Sequence, residues 1–154
     1  MTRNILIFLA AAGSAAALAG AFASQYLWGM LPCALCIWQR WPHGLAVLAG
    51  VLGLALPGRI WPILGALGAA TSGAIAIFHS GVERAWWAGL DSCSGGSAIG
   101  GISGADLLNP DVNVAPIVRC DVPTEFLLGL TMANWNVFYS FALAVIWLMA
   151  ARRA

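Results

Sequence analysis

The chain has 154 residues, of which 61% are hydrophobic and only 8% charged, with a mean hydropathy of +0.86 and a formal net charge of +1. That composition excludes a soluble globular domain and identifies a membrane protein of one domain, residues 1–154. A nearly neutral charge names no partner, and no nucleic-acid partner is expected.

Four stretches are each apolar enough to cross a hydrocarbon core of about 30 Å, which takes roughly 20 helical residues. They run from Ile5 to Tyr26, Cys36 to Leu56, Ile60 to Phe78 and Asn134 to Ala151. Helices are expected because lipid offers no partner for unpaired backbone groups, so the fold class is all-α: a bundle of four transmembrane helices. The "AFA" at Ala21 to Ala23 is similar to a signal-peptide cleavage site. The apolar run is too long for a signal core and continues into Tyr26 and Trp28, so it is read as a retained helix. The third stretch carries "GALGAATSGA", whose small residues let neighbouring helices approach closely. Trp28, Trp38, Trp61, Trp135 and Trp147 fall near the expected helix ends and read as interfacial aromatic belts.

Charge placement gives the orientation. Arg3, Arg59, Arg152 and Arg153 mark the amino terminus, the loop after the second helix and the carboxyl terminus, with no acidic residue among them. The positive-inside rule makes these segments cytoplasmic. Glu83, Asp91, Asp106, Asp111, Asp121 and Glu125 all lie between the third and fourth helices, in a loop spanning about residues 80–133 on the opposite side. Within it, "GVERAWWAGL" and "PTEFLLGL" read as short interfacial helices, and "SCSGGSAIGGISG" as a flexible span.

All four cysteines then belong to one extracytoplasmic face, and sequence alone permits three ways of forming two disulfides. Cys33 and Cys36 stand three apart at a helix start behind Pro32, a spacing that allows a local disulfide to open and close. A helix amino terminus favours the thiolate. Arg40 lies one turn beyond Cys36, and an arginine at membrane depth calls for a function beyond snorkelling to lipid phosphates. It suits either the Cys36 thiolate or a reduced, anionic electron acceptor. Cys93 and Cys120 are separated by 26 residues, and Cys120 directly follows Arg119, which would make it the better leaving thiolate, with Asp121 offsetting part of the effect. His79, at the outer end of the third helix, can donate to a quinone oxygen, relay protons or simply bond to water. His43 reads as a bundle-facing packing residue and Pro42 as a kink in the second helix.

"PCALCIWQR", then two widely spaced loop cysteines, then "LLGLTMANW" before the last helix, resembles the disulfide bond formation protein B (DsbB) family over nearly the whole chain. The resemblance implies a bacterial inner-membrane protein that reoxidises a periplasmic DsbA-like thiol oxidase and passes two electrons to a membrane quinone, ubiquinone or menaquinone. It further implies that Cys93 accepts the partner's mixed disulfide, that Cys120 then attacks Cys33, and that Cys36 becomes the thiolate facing the quinone beside Arg40. Gln39 departs from members that carry glutamate there. Vitamin K epoxide reductase-like enzymes also pair a four-helix bundle with a CxxC and a quinone, but their loop cysteines precede the CxxC. A non-catalytic protein with structural disulfides leaves Arg40 unexplained. A zinc site fits the span from Cys93 to Cys120 poorly, so no metal is expected.

Overall fold

The computed structural model describes residues 1–93, 118–123 and 125–153. Four long helices account for most of them: α1 (Arg3–Tyr26), α2 (Ala34–Ala55), α3 (Ile60–Glu83) and α4 (Met132–Ala151). A 3₁₀ turn covers Asp91–Cys93, and a two-stranded antiparallel hairpin, β1 (Glu125–Leu127) and β2 (Leu130–Thr131), leads into α4. Three helices, α1, α3 and α4, are long and apolar enough to cross a membrane. The 22-residue α2 carries Gln39, Arg40 and His43 in its first half, which breaks its apolar character.

The helix ends lie where side chains can satisfy free backbone groups. Cys33 is the N-cap of α2, its sulfur accepting from the Cys36 N–H at 3.2 Å. Thr131 caps α4 in the same way through the Asn134 N–H, also at 3.2 Å. Both helices therefore begin two residues before the apolar pattern does. Pro57 and Gly58, the latter at φ +113°, follow the end of α2. Arg3 donates to the carbonyls of Leu56 and Gly58, at 3.2 and 3.1 Å, tying the start of α1 to the end of α2. The helices alternate in direction, so Arg3, Arg59, Arg152 and Arg153 collect at one end and the cysteines at the other.

Among the described residues, neither interfacial helix expected in the loop forms. α3 runs through Gly81 to Glu83, five residues past Phe78, and then breaks into a turn over Arg84–Trp87. "PTEFLLGL" forms the hairpin, because Leu128 (φ +55°) and Gly129 (φ +71°) both adopt left-handed backbone and close a two-residue turn between Leu127 and Leu130. Most of the glycine- and serine-rich span, with Asp106 and Asp111, lies outside the described residues.

α3 packs most extensively, against α4 and α2. Lipid supplies no hydrophobic drive between helices, so close backbone approach must replace it. Glycines on α3 permit that approach: a Cβ on Gly68 would meet the Pro42 carbonyl at 2.8 Å, and one on Gly65 would strike the Trp147 ring at 2.5 Å. Trp147 is thus a core residue, fully buried with Leu6, Ile7, Ala46, Ala66 and Leu143, and not part of an aromatic belt. Trp28 and Trp38 are exposed, as a belt requires. Gly68→Val should therefore overpack the α2–α3 seam and cost about 1–3 kcal/mol. Thermal unfolding in detergent should show a lowered midpoint, whereas Gly20→Ala, with nothing within 4 Å of the new methyl, should leave it unchanged or slightly raised.

Candidate functional site

At the cysteine end, the start of α2, the end of α3 and the 3₁₀ turn converge. Cys33, Leu35, Val82, Cys93 and Cys120 form a second buried cluster, distinct from the core around Trp147. Cys93 and Cys120 are joined in a disulfide, and the Cys120 N–H also bonds to the Cys93 carbonyl at 3.1 Å. Cys33 and Cys36 are free thiols. One pair is oxidised, the other reduced, and both sit in the same apolar cluster or against it. Each disulfide sulfur belongs to a residue only 1% exposed.

Beneath the cysteines runs a file of buried polar side chains. The Gln39 amide nitrogen lies 3.1 Å from the Leu35 carbonyl and 3.0 Å from His79 Nδ1, while its oxygen accepts from Asn136 Nδ2 at 2.7 Å. A carbonyl can only accept, so Leu35 fixes which end of the amide faces it, and the same NH₂ group donates to His79 Nδ1. A neutral His79 thus keeps its proton on Nε2, which faces Cys33 Sγ at 3.6 Å and Glu83 Oε1 at 3.9 Å. The file continues inward. Asn136 Nδ2 also donates to Ser72, and Asn136 Oδ1 accepts from Ser140 at 2.8 Å beside His43 Nε2 at 3.3 Å. Ser72 in turn donates to the Gln39 backbone carbonyl at 3.0 Å, tying α3 to α2.

His79 is therefore no water-bonded residue at a helix end. It is 5% exposed, sits a full turn inside α3, and touches both a thiol and a carboxylate. His43 faces the bundle as expected and is hydrogen-bonded through Nε2 to Ser140 at 3.2 Å. Gln39, Glu83, Ser72, Asn136 and Ser140 are site residues that the sequence pattern does not single out. Their common signal is a polar side chain at bundle depth, which only partners on other helices make tolerable.

Arg40 is bonded to α1. Its Nη1 donates to Gln25 Oε1 at 2.6 Å and its Nη2 to the Ala21 carbonyl at 3.2 Å, with the guanidinium 5.0 Å from the Phe22 ring centroid. The charge is held by α1 while staying one turn from Cys36. The Arg119 guanidinium engages both carboxylate oxygens of Asp121, Nε at 2.8 Å from Oδ1, the partner the sequence places against it. The pairing lowers the Asp121 pKa through the Arg119 hydrogen bond and engages the positive charge with its own neighbour.

Cys33, Cys36, Arg40 and His79 border one cavity of about 580 Å³. Its other walls are predominantly apolar, with Ala21, Leu31, Phe126 and Trp135 among them. Such a cavity suits a flat, largely apolar ring with a few polar edge atoms, and Arg40 and the His79 N–H supply donors for those atoms. A quinone fits this donor set. The ligand atoms of Cys33, Cys36 and His79 also lie within 4.8 Å of one another, close enough to share a metal ion.

The family model for disulfide bond formation protein DsbB matches residues 3–150. An uncharacterized protein of Rickettsia prowazekii (strain Madrid E) is 24% identical over 131 residues, which cover 84% of this chain and 76% of that protein. No solved structure matches the chain. A buried disulfide packed against a CxxC pair at the head of a helix is what a disulfide-forming oxidoreductase of the membrane requires, and the match over nearly the whole length agrees: the chain belongs to the DsbB family.

Proposed function

We propose that this chain is a single four-span membrane domain that takes electrons from a periplasmic DsbA-like dithiol protein and delivers them to a membrane quinone. The observation that carries the reading is the position of the Cys33–Cys36 pair, packed against the Cys93–Cys120 disulfide on one side and lining the apolar cavity on the other. In this reading α2 is the fourth span. Its polar residues are tolerable there because Gln39 and His43 are buried among partners. The arginine-rich end is cytoplasmic, and the cysteine end faces the periplasm across a bacterial inner membrane.

The exchange chemistry balances without added reagents. A partner thiolate attacks Cys93 Sγ and breaks the Cys93–Cys120 bond, so Cys120 leaves as a thiolate and a mixed disulfide forms. The partner's second thiolate then attacks its own mixed-disulfide sulfur and departs oxidised. Cys120, released with its electron pair, attacks Cys33 of an oxidised Cys33–Cys36 pair and expels Cys36 as a thiolate, and the Cys93 thiolate then attacks Cys120, expelling Cys33 and restoring the Cys93–Cys120 disulfide. Because Cys93 is 1% exposed, the partner gains access only when the Asp91–Cys93 turn lifts from α2. A local opening of that kind is a small unfolding of a short turn and leaves the bundle intact.

On the membrane side, Cys36 is the thiolate that borders the cavity. Arg40 provides fixed positive charge for an anion there, and its bonds to α1 prevent it from swinging away. His79 presents its Nε2 proton to the Cys33 sulfur and can stabilise negative charge on it. A quinone held among Arg40, His79 and the apolar walls would supply the oxidising power, taking up two electrons and two protons.

Purified protein given a reduced DsbA-type protein and a soluble quinone should reduce the quinone, and Cys36→Ser should abolish that reaction. Equal rates in parent and variant would overturn the reading. Arg40→Ala should raise the apparent KM for quinone by tenfold or more while changing the rate of mixed-disulfide formation at Cys93 by less than about threefold, an effect equivalent to losing a charged hydrogen bond of about 1.5–3 kcal/mol at the quinone step alone. An unchanged KM for quinone would remove Arg40 from that role.

A further inference from the structure

We propose that Cys33, Cys36, His79 and Glu83 form a four-ligand site for a thiophilic divalent cation such as zinc, present only when the cysteine pair is reduced, and that filling it withholds both sulfurs from oxidation. The site goes beyond the oxidoreductase reading and does not depend on it.

Three of the four ligand atoms, from Cys33, Cys36 and His79, already lie together, and Glu83 adjoins them through His79. Zinc binds sulfur at about 2.3 Å and imidazole nitrogen at about 2.0–2.1 Å, which places the two ligand atoms about 3.5 Å apart. Cys33 Sγ and His79 Nε2 are 3.6 Å apart, and Cys36 Sγ completes a set within 4.8 Å. Glu83 stands one helical turn after His79 on the same face of α3, with Oε1 at 3.9 Å from His79 Nε2 and a side chain only 7% exposed. Its other oxygen accepts from Thr131 Oγ1 at 2.7 Å, so the carboxylate is already anchored by an outer partner of the kind that orients metal ligands. Two soft sulfurs, a nitrogen and one oxygen favour zinc over magnesium or calcium, which seek oxygen ligands alone.

Binding involves no electron transfer. The cation takes the place of the two thiol protons, giving a metal dithiolate and two free protons. The disulfide form has no thiolate to offer, so the metal can bind only the reduced pair. While bound, it occupies the lone pairs that exchange or oxidation would use.

His79 must change tautomer to serve as a ligand. Its Nε2 lone pair becomes available when the proton moves to Nδ1, which then needs an acceptor where Gln39 now presents its NH₂. A half-turn of the Gln39 amide supplies the oxygen, and a matching half-turn of Asn136 restores their mutual hydrogen bond while giving up the present Asn136 bonds to Ser72, Ser140 and His43. The Leu35 carbonyl loses its side-chain donor and retains its helical one. Gln39→Glu should accordingly tighten metal binding, since a carboxylate accepts the Nδ1 proton in either orientation.

The test uses the full-length Cys93→Ser, Cys120→Ser protein in detergent, whose only thiols are Cys33 and Cys36, titrated with cobalt and then zinc. Reduced protein should bind one cobalt with a thiolate charge-transfer band and the intense visible bands of a tetrahedral site, release about two protons, and lose the spectrum to zinc. Glu83→Gln and His79→Ala should each weaken cobalt binding by at least about tenfold, the scale on which metal sites respond to ligand-shell changes. Glu83→Gln keeps shape and volume, so it reads the carboxylate even if His79→Ala fails to fold. The proposal is overturned by the absence of a tetrahedral spectrum in reduced protein, by equal binding to oxidised protein, or by unchanged affinity in Glu83→Gln. Quinone reduction by the parent, measured with a chelator present, is a separate readout, so loss of that activity with metal binding retained would count against the oxidoreductase reading alone.

Discussion

The arrangement depends on one file of polar side chains that bond to one another inside the bundle, where Ser14 Oγ, His43 Nδ1 and Trp147 Nε1 are buried polar atoms left without a partner among the described residues. Gln39, His43, Ser72, His79, Asn136 and Ser140 come from three different helices, and every one is bonded to another member of the set. Leaving a buried polar atom unpaired costs about 1–3 kcal/mol, so the file specifies how α2, α3 and α4 align as well as which atoms face inward. One result is chemical. Fixing the Gln39 amide fixes the His79 proton, and that proton meets the Cys33 sulfur.

The same end of the molecule divides sulfur chemistry between two environments. Cys93 and Cys120 sit beneath a short turn and a segment outside the helices, where local opening is inexpensive in free energy. Cys33 and Cys36 are anchored by the first turn of α2, where backbone N–H groups already point at sulfur. In the function proposed above, a protein substrate meets the Cys93–Cys120 pair and a lipophilic oxidant the pair at the mouth of the cavity. Arg40 joins this rigid half through α1, so the charge nearest Cys36 is part of the scaffold.

Much of this was legible in the sequence. Continuous apolar runs located all four helices, and arginine placement separated the two ends. The CxxC spacing located the pair of free thiols at the head of α2. What escaped the pattern has specific causes. The helix starts at Ala34 and Met132 depend on caps, one of them a cysteine sulfur, that hydropathy does not register. The hairpin at Glu125–Thr131 was hidden because leucine occupies a left-handed turn position that favours asparagine or glycine. Trp147 resembled a belt residue by its distance from the chain end, yet Gly65 opens a recess for it in the core. Glu83 and Asn136 gave no signal, because their importance lies in partners contributed by other helices.

The central claim is that the two cysteine pairs exchange disulfides with each other through Cys33 and Cys120. The direct measurement is peptide mapping, without reduction, of the Cys36→Ser, Cys93→Ser protein after mild oxidation in membranes, since only the two sulfurs in question remain. A Cys33–Cys120 disulfide within one chain should be the principal product. Two thiols that stay open to alkylation, or link only between chains, would contradict the account.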